Sequence, residues 1–339
     1  MNHLKLLAVP ALVLFSQTNS NVVLAAEPDF EHEFSILADL SKAGGYTGEE
    51  TSAQRALVTW DAQYQLSPRW TVAGNLKAFR GDNGEALTDN IQGISNIDAE
   101  RFSKIYELFM EYQWNEQTRL KCGQVDANLE FAVVPAAGAF ISPPLGITPT
   151  AIALPTYYDP ALSCSAFYEP ERGFQAMAGV FAGRDHLDFA DQFMVIEGRY
   201  VQEHGQLVVG HWQHNGEWPL NETVDFVAIS GWYANYQHQI NDDLTVFIGL
   251  SALLDEVDAI EEHRLIGIVY QLPWQEQQLG LMASQVTVPT AKDELQLEAY
   301  WQLPITENLV LQPVVQYIDQ VAGTDRSAWV GTLRVAITY

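Results

Sequence analysis

Eleven charged side chains sit on the polar side of alternating segments: Asp61, Lys77, Arg101, Glu107, Glu111, Asp126, Glu197, Arg199, Glu294, Glu298 and Arg334. Residues two apart share one face of a strand, so these groups would line a common surface at staggered heights. Carboxylates accept hydrogen bonds, whereas guanidinium and ammonium groups donate them. Such a set suits holding or steering a polar solute rather than remaking its bonds. Seven of the eleven are acidic and four basic, which favours cations over anions in any passage they line. The aromatic residues Phe109, Phe131, Tyr157 and Tyr158 could add flat apolar faces. Bond-making chemistry finds less support. His211 and His214 would point to opposite faces of a strand, and no serine sits in a nucleophile elbow. No metal, nucleotide or cofactor motif is present, so no cofactor is expected. An enzyme nevertheless stays open as a rival reading, as does a plugged structural barrel.

The elements that position these residues radiate from Arg101 to Leu162. Arg101–Trp114 alternates, with Phe102, Tyr106, Leu108, Met110, Tyr112 and Trp114 on its apolar side. Arg101, Ser103, Glu107, Glu111 and Gln113 fill the polar side, and the pattern predicts an amphipathic strand. Turn residues Asn115–Thr118 lead to a returning strand over Arg119–Asp126. Ala127–Leu162 then offers 36 residues rich in Ala, Pro and Gly without a period. So long a structureless connection points to a functional loop.

About sixteen alternating segments follow from the whole chain, and their joints obey a rule. Short joints fall at Leu66–Arg69, Asn115–Thr118, Pro170–Gly173, Glu203–Gly205, Asn241–Asp243, Pro273–Glu276 and Pro304–Glu307. Between them lie longer or more polar ones: Ala43–Ala53, Gly81–Glu100, Ala127–Leu162, Gly183–Asp191, Asn215–Glu222, Asp255–Glu261, Pro289–Asp293 and Gln320–Arg326. Short turns at one end and long loops at the other predict an all-β, up-and-down antiparallel transmembrane β-barrel, not a soluble sandwich. Strands entering the short turns end alike, as Tyr64-Gln65-Leu66, Tyr112-Gln113-Trp114, Tyr270-Gln271-Leu272 and Trp301-Gln302-Leu303, which resembles an aromatic girdle at a membrane interface. The last segment places Trp329, Leu333, Val335, Ile337 and Tyr339 on one face and Thr332, Arg334 and Thr338 on the other. Its pairing with the first strand would remove the open edges. Sixteen strands leave a lumen wide enough for water and small solutes.

Met1–Ala26 reads as a secretory signal, with Lys5 its one charge and Leu6–Phe15 a short apolar core. The barrel domain is then 27–339. The chain carries a formal net charge of −26, which argues against nucleic acid as a partner. Its two cysteines, Cys122 and Cys164, flank the long loop and could bridge its base or remain free thiols.

Several runs resemble the carbohydrate-selective porins of the OprB family. They are Gly93-Ile94-Ser95-Asn96-Ile97, Ile105-Tyr106-Glu107-Leu108, and Gly123-Gln124-Val125-Asp126-Ala127-Asn128 with Phe131. Towards the C-terminus they are Glu298-Ala299-Tyr300, Leu311 to Ile318 and Gly331 to Val335, and the Gly44-Gly45 pair also fits. The chain departs from the pattern in its acidic charge, in a short loop between Asp89 and Arg101, and in Asp319-Gln320 where a proline is expected after Tyr317. The resemblance implies passive, sugar-selective diffusion of mono- or oligosaccharides through the outer membrane of a Gram-negative cell. Outer-membrane lipid and lipopolysaccharide, and other copies of the chain in a homo-oligomer, are the further expected partners. It also implies that the loop 127–162 folds inward to narrow the pore. The sugar-contacting set it suggests is Lys77, Arg101, Glu107, Glu111, Asp126, Asn128, Phe131, Glu298 and Arg334. A general, weakly cation-selective porin without a sugar site is the alternative.

Overall fold

A computed structural model describes residues 30–339 except 47, 49, 144–148, 184–188, 219–226, 256–259, 274–275 and 290. The signal segment 1–26 lies outside the described residues, as do 144–148 of the long loop. Sixteen strands run in chain order: β1 (Phe30–Gly45), β2 (Ser52–Ser67), β3 (Trp70–Gly81), β4 (Phe102–Asn115), β5 (Thr118–Val125), β6 (Ala161–Tyr168), β7 (Gly173–Ala182) and β8 (Gln192–Val201). They continue as β9 (Gly205–Trp218), β10 (Val227–Gln239), β11 (Leu244–Leu253), β12 (Glu262–Gln271), β13 (Gln278–Thr287), β14 (Glu294–Thr306), β15 (Leu309–Asp319) and β16 (Ser327–Thr338). Each pairs antiparallel with its neighbours, and β16 pairs back onto β1. The barrel is closed. Backbone N–H and C=O groups are thereby satisfied between strands, the condition for crossing hydrocarbon.

Alternation separates the two faces. Trp60, Leu108, Ile196, Ile266 and Trp329 stand exposed on the outside, while Asp39, Glu107, Glu197, Glu298 and Arg334 are buried within. A polypeptide in water would not leave such a band of Leu, Ile and Trp bare, since each side chain forgoes roughly 1.5–3 kcal/mol of burial. In a bilayer the same face is at home. Inside, bulky rings lie over glycines on the next strand. A Cβ at Gly210 would fall 2.0 Å from the Tyr233 ring, and one at Gly280 would fall 2.1 Å from Tyr300.

One strand breaks the expected alternation. The pairing of β3 with β4 steps from Asn75–Glu107 to Leu76–Ile105, leaving Tyr106 as an extra residue. This bulge shifts the phase by one, so Tyr106 and Glu107 both turn inward, 0% and 4% exposed. Phe102 also turns inward, against Phe79 and Tyr157. The predicted outer face of Phe102 and Tyr106 is corrected accordingly, whereas Leu108, Met110 and Trp114 do face out. Gln124, on the outer face of β5, donates to the carbonyls of Ile105 (3.1 Å) and Tyr106 (2.8 Å) that the bulge leaves bare.

Cys122 and Cys164 face each other directly across β5 and β6 and are bonded, with Cα atoms 4.2 Å apart. The pair lies on the outer face, where both residues are exposed. It ties together the two strands from which the long loop departs.

Candidate functional site

The long loop between β5 and β6 does not cap the barrel from outside. It enters beside Asp126, whose carboxylate accepts from Asn128 N–H at 2.9 Å and from the Tyr106 hydroxyl, while Asp126 N–H donates to Glu107 at 3.1 Å. A short turn over Ala127–Leu129 follows. Phe131 then packs, fully buried, on Phe167 and Phe181 of the inner wall. Further along, Ala132 N–H donates to Glu197 (2.8 Å) and Ala136 N–H to Gln237 (3.0 Å). Gln312 donates to the Ala139 carbonyl at 2.6 Å, with Phe140 packed against Phe247 and Tyr300. The segment is pinned at Glu298 on β14, which accepts from the N–H groups of Ile141 (2.8 Å) and Ser142 (2.9 Å), the Ser142 hydroxyl, and Gln316 (3.1 Å). On its way back Tyr157 donates to the Ile97 carbonyl at 3.0 Å. Contacts with β8, β10 and β15 on one path are possible only across the interior.

A second connection, 82–101, also turns in. Glu294 accepts from Ile91 N–H (2.9 Å), Gln92 N–H (3.1 Å) and Ala322 N–H (2.9 Å). Arg334 holds Asp39 through two bonds of 2.8 Å and reaches Asn96 at 2.9 Å, while Ser95 donates to Asp39 at 2.6 Å. Arg55 pairs with Asp98 of the loop, and Gly84 N–H donates to the same carboxylate at 3.1 Å. Burial pushes the Asp98 carboxyl up to about 7, against the pull of Arg55. Asn96 N–H donates to the Ile141 carbonyl at 2.7 Å, joining the two loops.

A third group stands on the wall near β5. Arg119 contacts Glu111 (3.0 Å), Glu130 (2.7 Å) and Glu169 (2.8 Å), and Lys121 contacts Glu130 at 2.8 Å. Glu130 belongs to the loop. Burial alone would raise its pKa, but Lys121 and Arg119 outweigh that and hold it at about 2. Lys77 lies over the Tyr106 ring, 3.7 Å from its centroid.

The sequence-predicted residues therefore divide into groups. Lys77, Glu107, Asp126 and Asn128 meet at the loop's root, and Glu111 joins the Arg119 group nearby. Glu298 and Arg334 hold the two loops on the opposite wall, and Glu197 and Glu294 serve likewise. Phe131 is buried between the loop and the wall residues Phe167 and Phe181. Arg101 stands apart, exposed just before β4. Asp61 and Arg199 are inward and half-buried. Tyr157 stays half-buried beside Tyr106 while Tyr158 is exposed, and Phe109 lies 3.8 Å under the Lys121 ammonium. Sequence reasoning missed Asp39, Arg55, Arg119, Lys121 and Glu130. Arg119 and Lys121 were within reach of it, because they alternate on the polar face of a predicted strand opposite Glu111. His211 and His214 do not come together: His211 faces outward and His214 inward from β9.

No curated protein matches the chain. Residues 228–339 match the family described as carbohydrate-selective porin, OprB family. Among solved structures, OprB of Pseudomonas putida, in a structure determined at high pH, superposes with a TM-score of 0.82 at 13% identity, covering 92% of this chain and 94% of that one. Two engineered variants of the Rhodopseudomonas blastica porin superpose with a TM-score of 0.64 at 11% identity, covering 92% of this chain and all of theirs. The chain is a closed sixteen-stranded antiparallel β-barrel with the fold of these porins, and its C-terminal third matches the model of the OprB carbohydrate-selective family.

Proposed function

We propose that this chain is an outer-membrane porin through which neutral sugars diffuse passively down their gradient. The observation that carries the reading is the long loop docked across the lumen on Glu197, Gln237, Gln312 and Glu298. A loop fixed at four well-separated points narrows a water-filled barrel to a passage of constant shape, which is what discrimination between solutes requires. The family match supplies the solute class. The outer apolar face suits outer-membrane lipid, with the exposed Trp70, Trp114 and Trp301 towards one rim.

Of the residues first suggested for sugar contact, Lys77, Glu111 and Asn128 keep part of their surface open within the barrel and are our choice for that role. Glu107, Asp126, Phe131, Glu298 and Arg334 act through the loops they hold. Arg119 and Lys121 add bases to the same wall, so the channel's preference for cations is weak. The test is swelling of liposomes carrying the purified protein, in glucose, maltose and glucose phosphate. Faster entry of the neutral sugars is expected. Equal rates for all solutes of equal size would favour the general, cation-leaning porin.

A further inference from the structure

The inner wall changes character around its circumference. Near the short-turn end, β1–β8 present half-buried charged groups inward, among them Glu33, Asp61, Glu111, Arg119 and Arg199. At the corresponding inward positions β9–β15 present, among the described residues, uncharged hydrogen-bonding side chains, namely Gln206, Gln237, Thr245, Gln271, Gln278, Gln302 and Gln312, interspersed with apolar ones such as Val208 and Val269. The register joins these side chains in two runs, parted at β11 where Gln237 faces Phe247 and Thr245 faces Val269. Gln206 faces Gln237 directly across β9 and β10, and Gln271, Gln278 and Gln302 form an unbroken row across β12–β14. Gln278 donates to Gln271 at 3.2 Å and accepts from the Tyr300 hydroxyl at 2.6 Å, while Gln302 donates to Gln312 at 3.5 Å. These bonds orient the amides without exhausting them, since each carries two N–H donors and a carbonyl with two lone pairs. Gln206 spends neither group on a partner among the described residues.

Beside this arc, Val133, Val134 and Pro135 of the loop lie against Gln206, Val208, Asn235 and Gln237 of the wall, with no space for a water between them. The amides of the arc match the hydroxyl edge of a pyranose. Amides hold no counterion, and exchanging a bound water for a sugar hydroxyl changes the hydrogen-bond count little. Binding would be weak and quickly reversible, as passage requires.

We infer that the amide arc of β9–β15 is a binding subsite for uncharged sugars and polyols on the wall between the long loop and the short-turn end. It rests on the sugar-diffusion reading and adds where the sugar sits. The test uses the full barrel in a planar bilayer, with glucose block of the single-channel current as readout and Gln206→Leu as the first variant. Gln206 makes no hydrogen bond to the described residues of the loop, so conductance in sugar-free KCl is expected to match wild type and to certify folding. The glucose block constant is expected to weaken roughly two- to tenfold, the worth of one net hydrogen bond. Gln271→Leu, midway along the arc on β12, should weaken it too; if Gln206→Leu does not fold, Gln206→Ala takes its place. Wild-type block constants in folded variants of both positions would overturn the subsite while leaving the sugar reading intact. No glucose block in the unmodified protein would overturn the sugar reading, and the subsite with it.

Discussion

The loop's attachment to Glu298 is the contact on which the constriction depends, and Glu298→Gln perturbs it with little change of shape. The substitution keeps one acceptor oxygen and turns the other into an NH2 group. That NH2 would face donors in place of an acceptor, because Ser142 N–H (2.9 Å), the Ser142 hydroxyl and Gln316 Nε2 (3.1 Å) all converge on one Glu298 oxygen. A buried donor left without a partner costs about 1–3 kcal/mol. At about 1.4 kcal/mol per factor of ten, the amides of Ile141 and Ser142 should exchange with deuterium roughly 5- to 150-fold faster through local opening. Gln312 on Ala139 and Glu197 on Ala132 remain, so the loop's root should stay protected. Hydrogen exchange resolved over 132–143 reads both halves of this, and single-channel recordings should show a noisier, larger current. Unchanged exchange at Ile141 and Ser142 together with unchanged current would refute the view that Glu298 holds the constriction.

Other perturbations follow from the same contacts. The Glu130 pKa is depressed from 4.5 to about 2 in the folded state, so its contribution to loop docking is complete above about pH 4.5 and is lost as pH falls through about 2; current noise should rise over that window, and Glu130→Gln should flatten the dependence. Arg334→Met removes both guanidinium bonds to buried Asp39 and leaves it only the Ser95 hydroxyl and Arg55 at 4.0 Å, which costs up to about 3–5 kcal/mol and should lower the midpoint of unfolding in detergent; an unchanged midpoint would contradict the pairing. Replacing both Cys122 and Cys164 by Ala removes a cross-link between residues 42 apart, worth about 4 kcal/mol in the chain-entropy account. Thermal unfolding followed by gel mobility should come at lower temperature, with sugar-free conductance preserved because the bond lies on the outer face.

The barrel was legible because its cause is local. Period-two alternation and the lengths of successive joints are properties of neighbouring residues, and together they fix strand number, closure and the direction in which most side chains point. The bulge at Tyr106 left a mark that the period-two reading passed over: Ile105 falls on the polar side and Lys104 on the apolar side of the alternation, both out of phase. The loops' inward course rests on pairs such as Glu298 with Ser142, 156 residues apart, and Glu294 with Gln92, 202 apart. No periodicity encodes these. A buried carboxylate waiting for loop N–H groups looks, in sequence, like any other inward charge, so Glu197, Glu294 and Glu298 were read as facing water. The glutamines were visible in the strand endings Tyr270-Gln271-Leu272 and Trp301-Gln302-Leu303, where the flanking aromatics drew attention to the outer face instead.

The most direct measurement is single-channel conductance of the refolded barrel in a planar bilayer, titrated first with glucose and then with a maltodextrin. A loop-narrowed passage with an internal sugar site predicts an open channel whose current falls saturably at millimolar sugar. A steady conductance that ignores sugar at every concentration would contradict sugar selection and leave only general diffusion.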